Sequence, residues 1–160
     1  MNNLIEQAIQ LRKAGQYAQS LETLQALVAD PLLGARAHLY IAWNYDAQGL
    51  EREAIPHYQQ ALNGQLEAGE RFDVLLGLAS SLRCLGEYKQ AADYFVMARE
   101  EFPNKQEILP FQAMNLYNTG DAKAAVAMLL NLLVETTNSE DIRAYQDAIR
   151  FYAEDLDKTW

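Results

Sequence analysis

A short pattern that begins with a glycine recurs four times along the chain. The glycines are Gly15, Gly49, Gly86 and Gly120, and they stand 34, 37 and 34 residues apart. A repeat of this length constrains the fold strongly, because each copy must form the same small unit and bury its apolar face against its neighbours. The positions five, nine and twelve residues beyond each glycine follow one face of an α-helix. They hold Ser20, Ala54, Ala91 and Ala125, then Leu24, Tyr58, Phe95 and Leu129, then Leu27, Ala61, Ala98 and Leu132.

A second helix is predicted before each glycine. Before Gly86, apolar residues stand at Leu75, Leu78, Ala79 and Leu82, which is again helical spacing. We expect the glycine between the two helices to adopt a positive φ and to end the first helix. The repeating unit is therefore a helix, a glycine turn and a second helix.

These units resemble the tetratricopeptide repeat family, whose unit is a helix pair of about 34 residues. The resemblance covers nearly the whole chain. Segments 45–49, 54–58, 81–86 and 101–103 together resemble the group 5 domain of that family, which is bacterial. The third copy is the best match to the family, through Leu78, Ala79, Leu82, Gly86, Tyr88, Ala91, Phe95, Ala98 and Pro103.

The resemblance implies an all-α fold, a right-handed α–α superhelix of four helix pairs in a single domain over residues 1–160. The pairs are expected at about 2–32, 36–66, 72–103 and 106–136. A last helix at about 138–157 has one apolar side and a polar back, as the terminal helix of a repeat array requires. We expect Trp160 to fold back on this helix, to dock on a neighbouring molecule or to stay disordered.

The composition argues against several classes of partner. The formal net charge is −9, and the pair Arg12-Lys13 is the largest basic cluster. A nucleic-acid-binding face needs many cations, and an acidic chain is repelled by anionic lipid, so neither partner is expected. One cysteine among 160 residues excludes an internal disulfide. A reducing, cytoplasmic location is expected.

The residues that could support catalysis are few. His38 and His57 are the only histidines, and their separation of 19 residues matches no metal-binding motif. We expect His38 to be a buried or half-buried histidine of the core, and His57 to lie on the outer face. Cys84 is expected to be a neutral thiol, since neither histidine is placed to act as its base. The sequence therefore predicts no enzyme, no metal and no cofactor.

The family resemblance also implies a binding surface. In tetratricopeptide repeats the first helix of each pair lines a concave face, which usually takes a protein or peptide partner. Carried over to this sequence, the candidate partner-binding residues are Arg12, Leu39, Trp43, Asp46, Ser80, Arg83, Met114, Tyr117 and Asn118. Tryptophan, tyrosine and arginine are the residue types that dominate binding hot spots. Two alternatives stay open: Asp46 pairs with Arg83, and Trp43 packs inside the curve of the array.

The sequence thus predicts a protein–protein or protein–peptide interaction module, an adaptor, scaffold or regulatory partner in a bacterial cytoplasm. The alternative is a structural protein that associates with itself, as a homodimer or larger homo-oligomer, without a peptide ligand.

Overall fold

The structure, a computed structural model, describes residues 2–159, and side chains from residue 3 onward. Trp160 and the predictions for it lie outside the described residues. The all-α class is confirmed: residues 2–159 contain helices and no strand. The α-helices are α1 (Asn2–Lys13), α2 (Tyr17–Gln25), α3 (Gly34–Asp46), α4 (Glu51–Leu62), α5 (Ala68–Cys84), α6 (Tyr88–Glu101), α7 (Leu109–Asn118), α8 (Ala122–Thr136), α9 (Glu140–Ala144) and α10 (Gln146–Ala153).

The chain forms two compact units, which we call unit 1 (residues 1–98) and unit 2 (residues 99–160). In unit 1, α1 packs on α2, α3 packs on α4, and α4 also contacts α5. The first helices of successive pairs are neighbours as well, since α3 contacts both α1 and α5. In unit 2, α7 packs on α8, and α8 packs on α10. The single domain over 1–160 stays a prediction.

The four repeated glycines end the first helix of each pair, as predicted. Gly15, Gly49, Gly86 and Gly120 have φ values of 75°, 70°, 83° and 91°. After each glycine, the next N–H donates to the carbonyl five residues earlier, as Glu87 does to Leu82 at 2.9 Å. This bond is the 6→1 bond of a Schellman cap, which requires a left-handed residue at the glycine position.

The predicted apolar face is buried in unit 1. The side chains of Leu24, Tyr58 and Phe95 are all fully buried, as are Ala54 and Ala91. The small residues let the two helices of a pair approach closely, while the large residues fill the core beside them. The positions five and nine residues beyond the glycine therefore hold the core that the repeat predicts.

Ser20 replaces the usual alanine in the first pair, and its hydroxyl explains why. The hydroxyl is fully buried and donates to the carbonyl of Ala8 at 2.7 Å. It also accepts a hydrogen bond from the side-chain amide of Asn44 at 3.0 Å. Ser20 on α2 thus connects α1 to α3 through hydrogen bonds that satisfy buried polar groups.

The interval from Gly49 to Gly86 is 37 residues, three more than the other two intervals. These three residues lengthen the first helix of the third pair. α5 begins at Ala68, about one turn ahead of the predicted start at residue 72. Glu67 and Glu70 form a reciprocal capping box there. The added turn brings Glu70 against α3, where it accepts a hydrogen bond from Arg36 Nε at 2.6 Å.

The fourth pair and the C-terminal helix differ from the pattern. Leu129, at the position of Leu24, Tyr58 and Phe95, is 43% exposed. The expected single helix at about 138–157 is two helices, because the backbone at Tyr145 leaves the helical region with φ −105° and ψ 10°. α10 still packs on α8, as a capping helix would.

The ring of Tyr58 lies against Gly77 of α5, which leads to a test of stability. A Cβ added to Gly77 would clash with Cζ of the Tyr58 ring. Gly77→Ala is therefore expected to lower the free energy of unfolding by about 1–3 kcal/mol, because the buried ring must move. Urea unfolding followed by circular dichroism measures this change.

The matched control lies on the same helix. A Cβ at Gly69 would meet nothing within 4 Å. Gly69→Ala should leave stability unchanged or raise it by up to about 1 kcal/mol, because alanine favours the helix. Equal effects of the two substitutions would contradict the proposed contact.

Candidate partner-binding face

Arg12 and Trp43 meet on the first helices of unit 1. Arg12 Cζ of α1 lies 5.3 Å from the ring centre of Trp43 of α3, which is a cation–π contact. Tyr40, one turn earlier on α3, contacts the same indole edge to face, with ring centroids 5.3 Å apart. All three side chains are half-buried. The contacts hold the indole and the guanidinium in place while part of each stays accessible.

Asp46 lies one turn beyond Trp43, and its carboxylate is engaged inside unit 1. It accepts a hydrogen bond from the hydroxyl of Tyr58 on α4. Its other oxygen accepts from Ser81 Oγ of α5 at 3.0 Å. Burial raises the pKa of Asp46, while the hydrogen bonds from Tyr58 and Ser81 lower it in part. The carboxylate joins three helices through these two donors.

Leu39 does not belong to an accessible face. Its side chain is fully buried and belongs to the core. The helical spacing from Leu39 to Trp43 suggested a shared stripe, but α3 is contacted by α1, α2, α4 and α5, so most of its circumference is covered. The prediction that Leu39 contacts a partner is therefore wrong.

The remaining candidates in unit 1 lie on α5, next to α3. Ser80 and Arg83 are half-buried and stand one turn apart on the helix. Arg12, Trp43, Ser80 and Arg83 thus come from three neighbouring first helices, α1, α3 and α5. We call these four residues the unit 1 face.

The three candidates in unit 2 all lie on α7. Tyr117 is 69% exposed and Met114 is 41% exposed, whereas Asn118 is half-buried. Met114 and Tyr117 are three residues apart on α7, which places them on one side of the helix.

The two histidines form a pair that the sequence did not predict. Nδ1 of His38 on α3 lies 2.8 Å from Nδ1 of His57 on α4. The ring of Tyr45 stacks on His57, with centroids 5.7 Å apart. His38 is half-buried, as expected, whereas the expectation that His57 lies on the outer face is wrong, because its ring contacts His38 and Tyr45 of α3. A usable signal was present, since His57 stands three residues after the buried Ala54 and four before the buried Ala61, on the same side of α4.

The chemistry of this pair depends on its geometry. One Nδ1 must carry the proton that the other accepts, so the contact exists only while at least one ring is neutral. Burial lowers the pKa of both histidines, and the charge of His38 lowers that of His57 further. Within residues 2–159 no cluster of three or more His, Cys, Asp or Glu side chains could bind a metal ion.

A comparison with known families identifies the fold. Residues 35–156 match the family model described as tetratrico peptide repeat, of group 5. The chain belongs to this family. A search of curated proteins finds no match. The tetratricopeptide repeat family generally provides non-catalytic modules that bind proteins or peptides. In the part of this tetratricopeptide repeat chain that the structure describes, no helix has the length and apolar character needed to cross a membrane.

The hydrogen bond between Tyr58 and Asp46 can be tested by removing the hydroxyl. Tyr58→Phe leaves the buried carboxylate with one donor fewer, so it should lower the free energy of unfolding by about 1–3 kcal/mol. Tyr94→Phe is the matched control, because Tyr94 is half-buried on α6. Urea unfolding of both variants makes the comparison, and equal losses would contradict a stabilising role for the bond.

The histidine pair predicts how stability depends on pH. Unfolding returns each histidine to its ordinary pKa of about 6.5, above its lowered pKa in the native state. Below about pH 6.5 the unfolded chain therefore binds more protons than the native one, and the free energy of unfolding falls as the pH falls through the native pKa values. Urea unfolding at pH 7.5 and 5.5 should show this fall.

The two histidines are the only ones in the chain, so a double variant isolates their contribution. His38→Gln/His57→Gln should reduce the difference in stability between the two pH values. An unchanged difference would assign the pH dependence to other groups.

Proposed function

We propose that this tetratricopeptide repeat chain is an interaction module that binds a protein or peptide partner through the unit 1 face. The observation that carries the proposal is the contact between Arg12 and Trp43, which joins two hot-spot residue types on adjacent first helices. Leu39 and Asp46 lie behind this face and support α3. The partner would bind side chains that are already held in position, so little side-chain entropy is lost on binding.

The charge of the face favours an acidic partner segment. Arg12 and Arg83 place two guanidinium groups on first helices of a chain whose net charge is −9. A guanidinium can bind a carboxylate through two hydrogen bonds, and the indole of Trp43 offers an apolar surface beside it. We therefore propose a segment with an apolar side chain next to an acidic one.

Met114, Tyr117 and Asn118 are proposed as a further set of partner contacts on α7 in unit 2. As in the rest of the proposal, the chain acts as an adaptor, scaffold or regulatory partner in a bacterial cytoplasm. We propose no cofactor and no reaction for it.

Self-association is the second candidate function, and one observation favours it. Val126, Leu129 and Leu133 of α8 are 44%, 43% and 41% exposed. Their spacing of three and four residues places them along one side of the helix. A second copy of the chain could cover this stripe and form a homo-oligomer.

A capture experiment tests the proposed face. The native chain and the variants Trp43→Ala and Arg83→Glu are used to capture proteins from a bacterial lysate, and the captured protein is identified, purified and titrated. Each substitution should weaken its binding by about tenfold or more, since a hot-spot residue contributes about 1.4 kcal/mol or more.

The matched controls replace similar residues on second helices, Tyr94→Ala on α6 and Arg52→Glu on α4. They should bind as the native chain does, once circular dichroism shows that every variant is folded. Equal binding by all variants would rule out the unit 1 face. Light scattering of the purified native chain tests the alternative, because a homo-oligomer has a multiple of the 18.1 kDa chain mass.

A further inference from the structure

Unit 2 contains a cleft of about 520 Å³ that lies apart from the residues proposed above. Phe102, Leu109, Met128 and Leu132 form its apolar surface, between the end of α6, the start of α7 and one side of α8. This volume is within the range of about 300–1,000 Å³ that is typical of ligand sites. We call it the unit 2 cleft.

The cleft is open because the fourth helix pair is packed less completely than the others. Leu132 occupies the position of Leu27, Ala61 and Ala98, which are 6%, 0% and 0% exposed. Leu132 itself is half-buried, and so is Met128 one turn earlier. Large apolar side chains therefore remain accessible at a position that the other pairs close.

The charged groups around the cleft are not equivalent. Arg99 lies at its edge, and the contact of its guanidinium is with an amide, Gln112 Oε1, at 3.3 Å. Glu135, also at the cleft, accepts a hydrogen bond from Gln106 at 3.0 Å and lies 3.8 Å from Arg150 Nη1. The carboxylate of Glu135 thus has a cationic neighbour, Arg150, whereas the guanidinium of Arg99 contacts the neutral amide of Gln112.

Lys105 adds a second cation to the lining of the cleft, although it lies 3.3 Å from Glu107. An apolar surface beside Arg99 and Lys105 suits a ligand that combines an apolar side chain with a negative charge.

We propose that the unit 2 cleft is a second binding site, which takes a short peptide segment with a large apolar side chain next to a carboxylate. The apolar side chain lies against Met128 and Leu132, and the carboxylate pairs with Arg99. This site goes beyond the unit 1 face, and its binding does not depend on Trp43.

Methyl and amide NMR spectra of the full chain test the proposal with three peptides, each acetylated at its N-terminus and amidated at its C-terminus so that only glutamate side chains carry charge. Glu-Leu-Phe-Glu should shift the signals of Met128 and Leu132 and saturate them. Gln-Leu-Phe-Gln, which lacks the charge, should bind several-fold more weakly, and Glu-Ser-Ser-Glu, which lacks the apolar side chains, should leave these signals unchanged. Absence of saturable shifts at the cleft with the first peptide, or equal shifts with all three, would overturn the proposal.

Two substitutions test the site from the side of the protein. Arg99→Glu should weaken binding of Glu-Leu-Phe-Glu by about fivefold or more, because an exposed ion pair becomes a repulsion. Ala127→Arg places a long side chain in the cleft, which Ala127 lines, and should abolish binding. Amide spectra show whether each variant is folded. If Ala127→Arg does not fold, the binding measured with Arg99→Glu tests the site.

Two controls complete the test. Arg143→Glu makes the same change of charge at an exposed residue of α9 and should leave binding unchanged. Trp43→Ala should also bind the peptide as the native chain does, which separates this site from the unit 1 face. If Arg99→Glu and Arg143→Glu weaken peptide binding equally, the change in net charge alone explains the effect, and the proposed site is contradicted.

Discussion

The carboxylate of Asp46 connects the helices on which the unit 1 face depends. Asp46 is the last residue of α3. Its carboxylate accepts one hydrogen bond from the hydroxyl of Tyr58 on α4 and another from the hydroxyl of Ser81 on α5. This geometry requires the absence of a side chain at Gly77, because the Tyr58 ring occupies that space. Since Trp43 precedes Asp46 by three residues on α3, the same contacts fix the direction in which the indole points. Burial of a carboxylate is unfavourable by itself, and the two donors offset that cost.

Polar contacts also link the successive helix pairs of unit 1. Ser20 and Asn44 join the first pair to the second, and Arg36 and Glu70 join the second to the third. Apolar packing between helices tolerates small shifts along the helix axis, whereas a buried hydrogen bond has one favourable geometry. We infer that these contacts set the register between repeats, in addition to their effect on stability.

In unit 2 the repeat pattern weakens, and the second helix of the pair is left partly uncovered. α8 is apolar over most of its circumference, and the helices α7 and α10 that pack on it do not cover all of it. The result is an exposed stripe on one side, at Val126, Leu129 and Leu133, and the unit 2 cleft on another. The same departure from the pattern therefore underlies both the second candidate function and the second proposed site.

The sequence by itself determined the helix pairs, their glycine caps and most of the core of unit 1. These features depend on local spacing and on backbone geometry, which a residue pattern records directly. Only the tertiary structure decided that Leu39 is buried, that Asp46 contacts Tyr58 and Ser81, and that His38 meets His57. Each of these outcomes depends on how one helix is rotated against its neighbours, and a helical stripe defines that rotation only to within about one residue position. A shift of that size moves a side chain from an accessible face to the core.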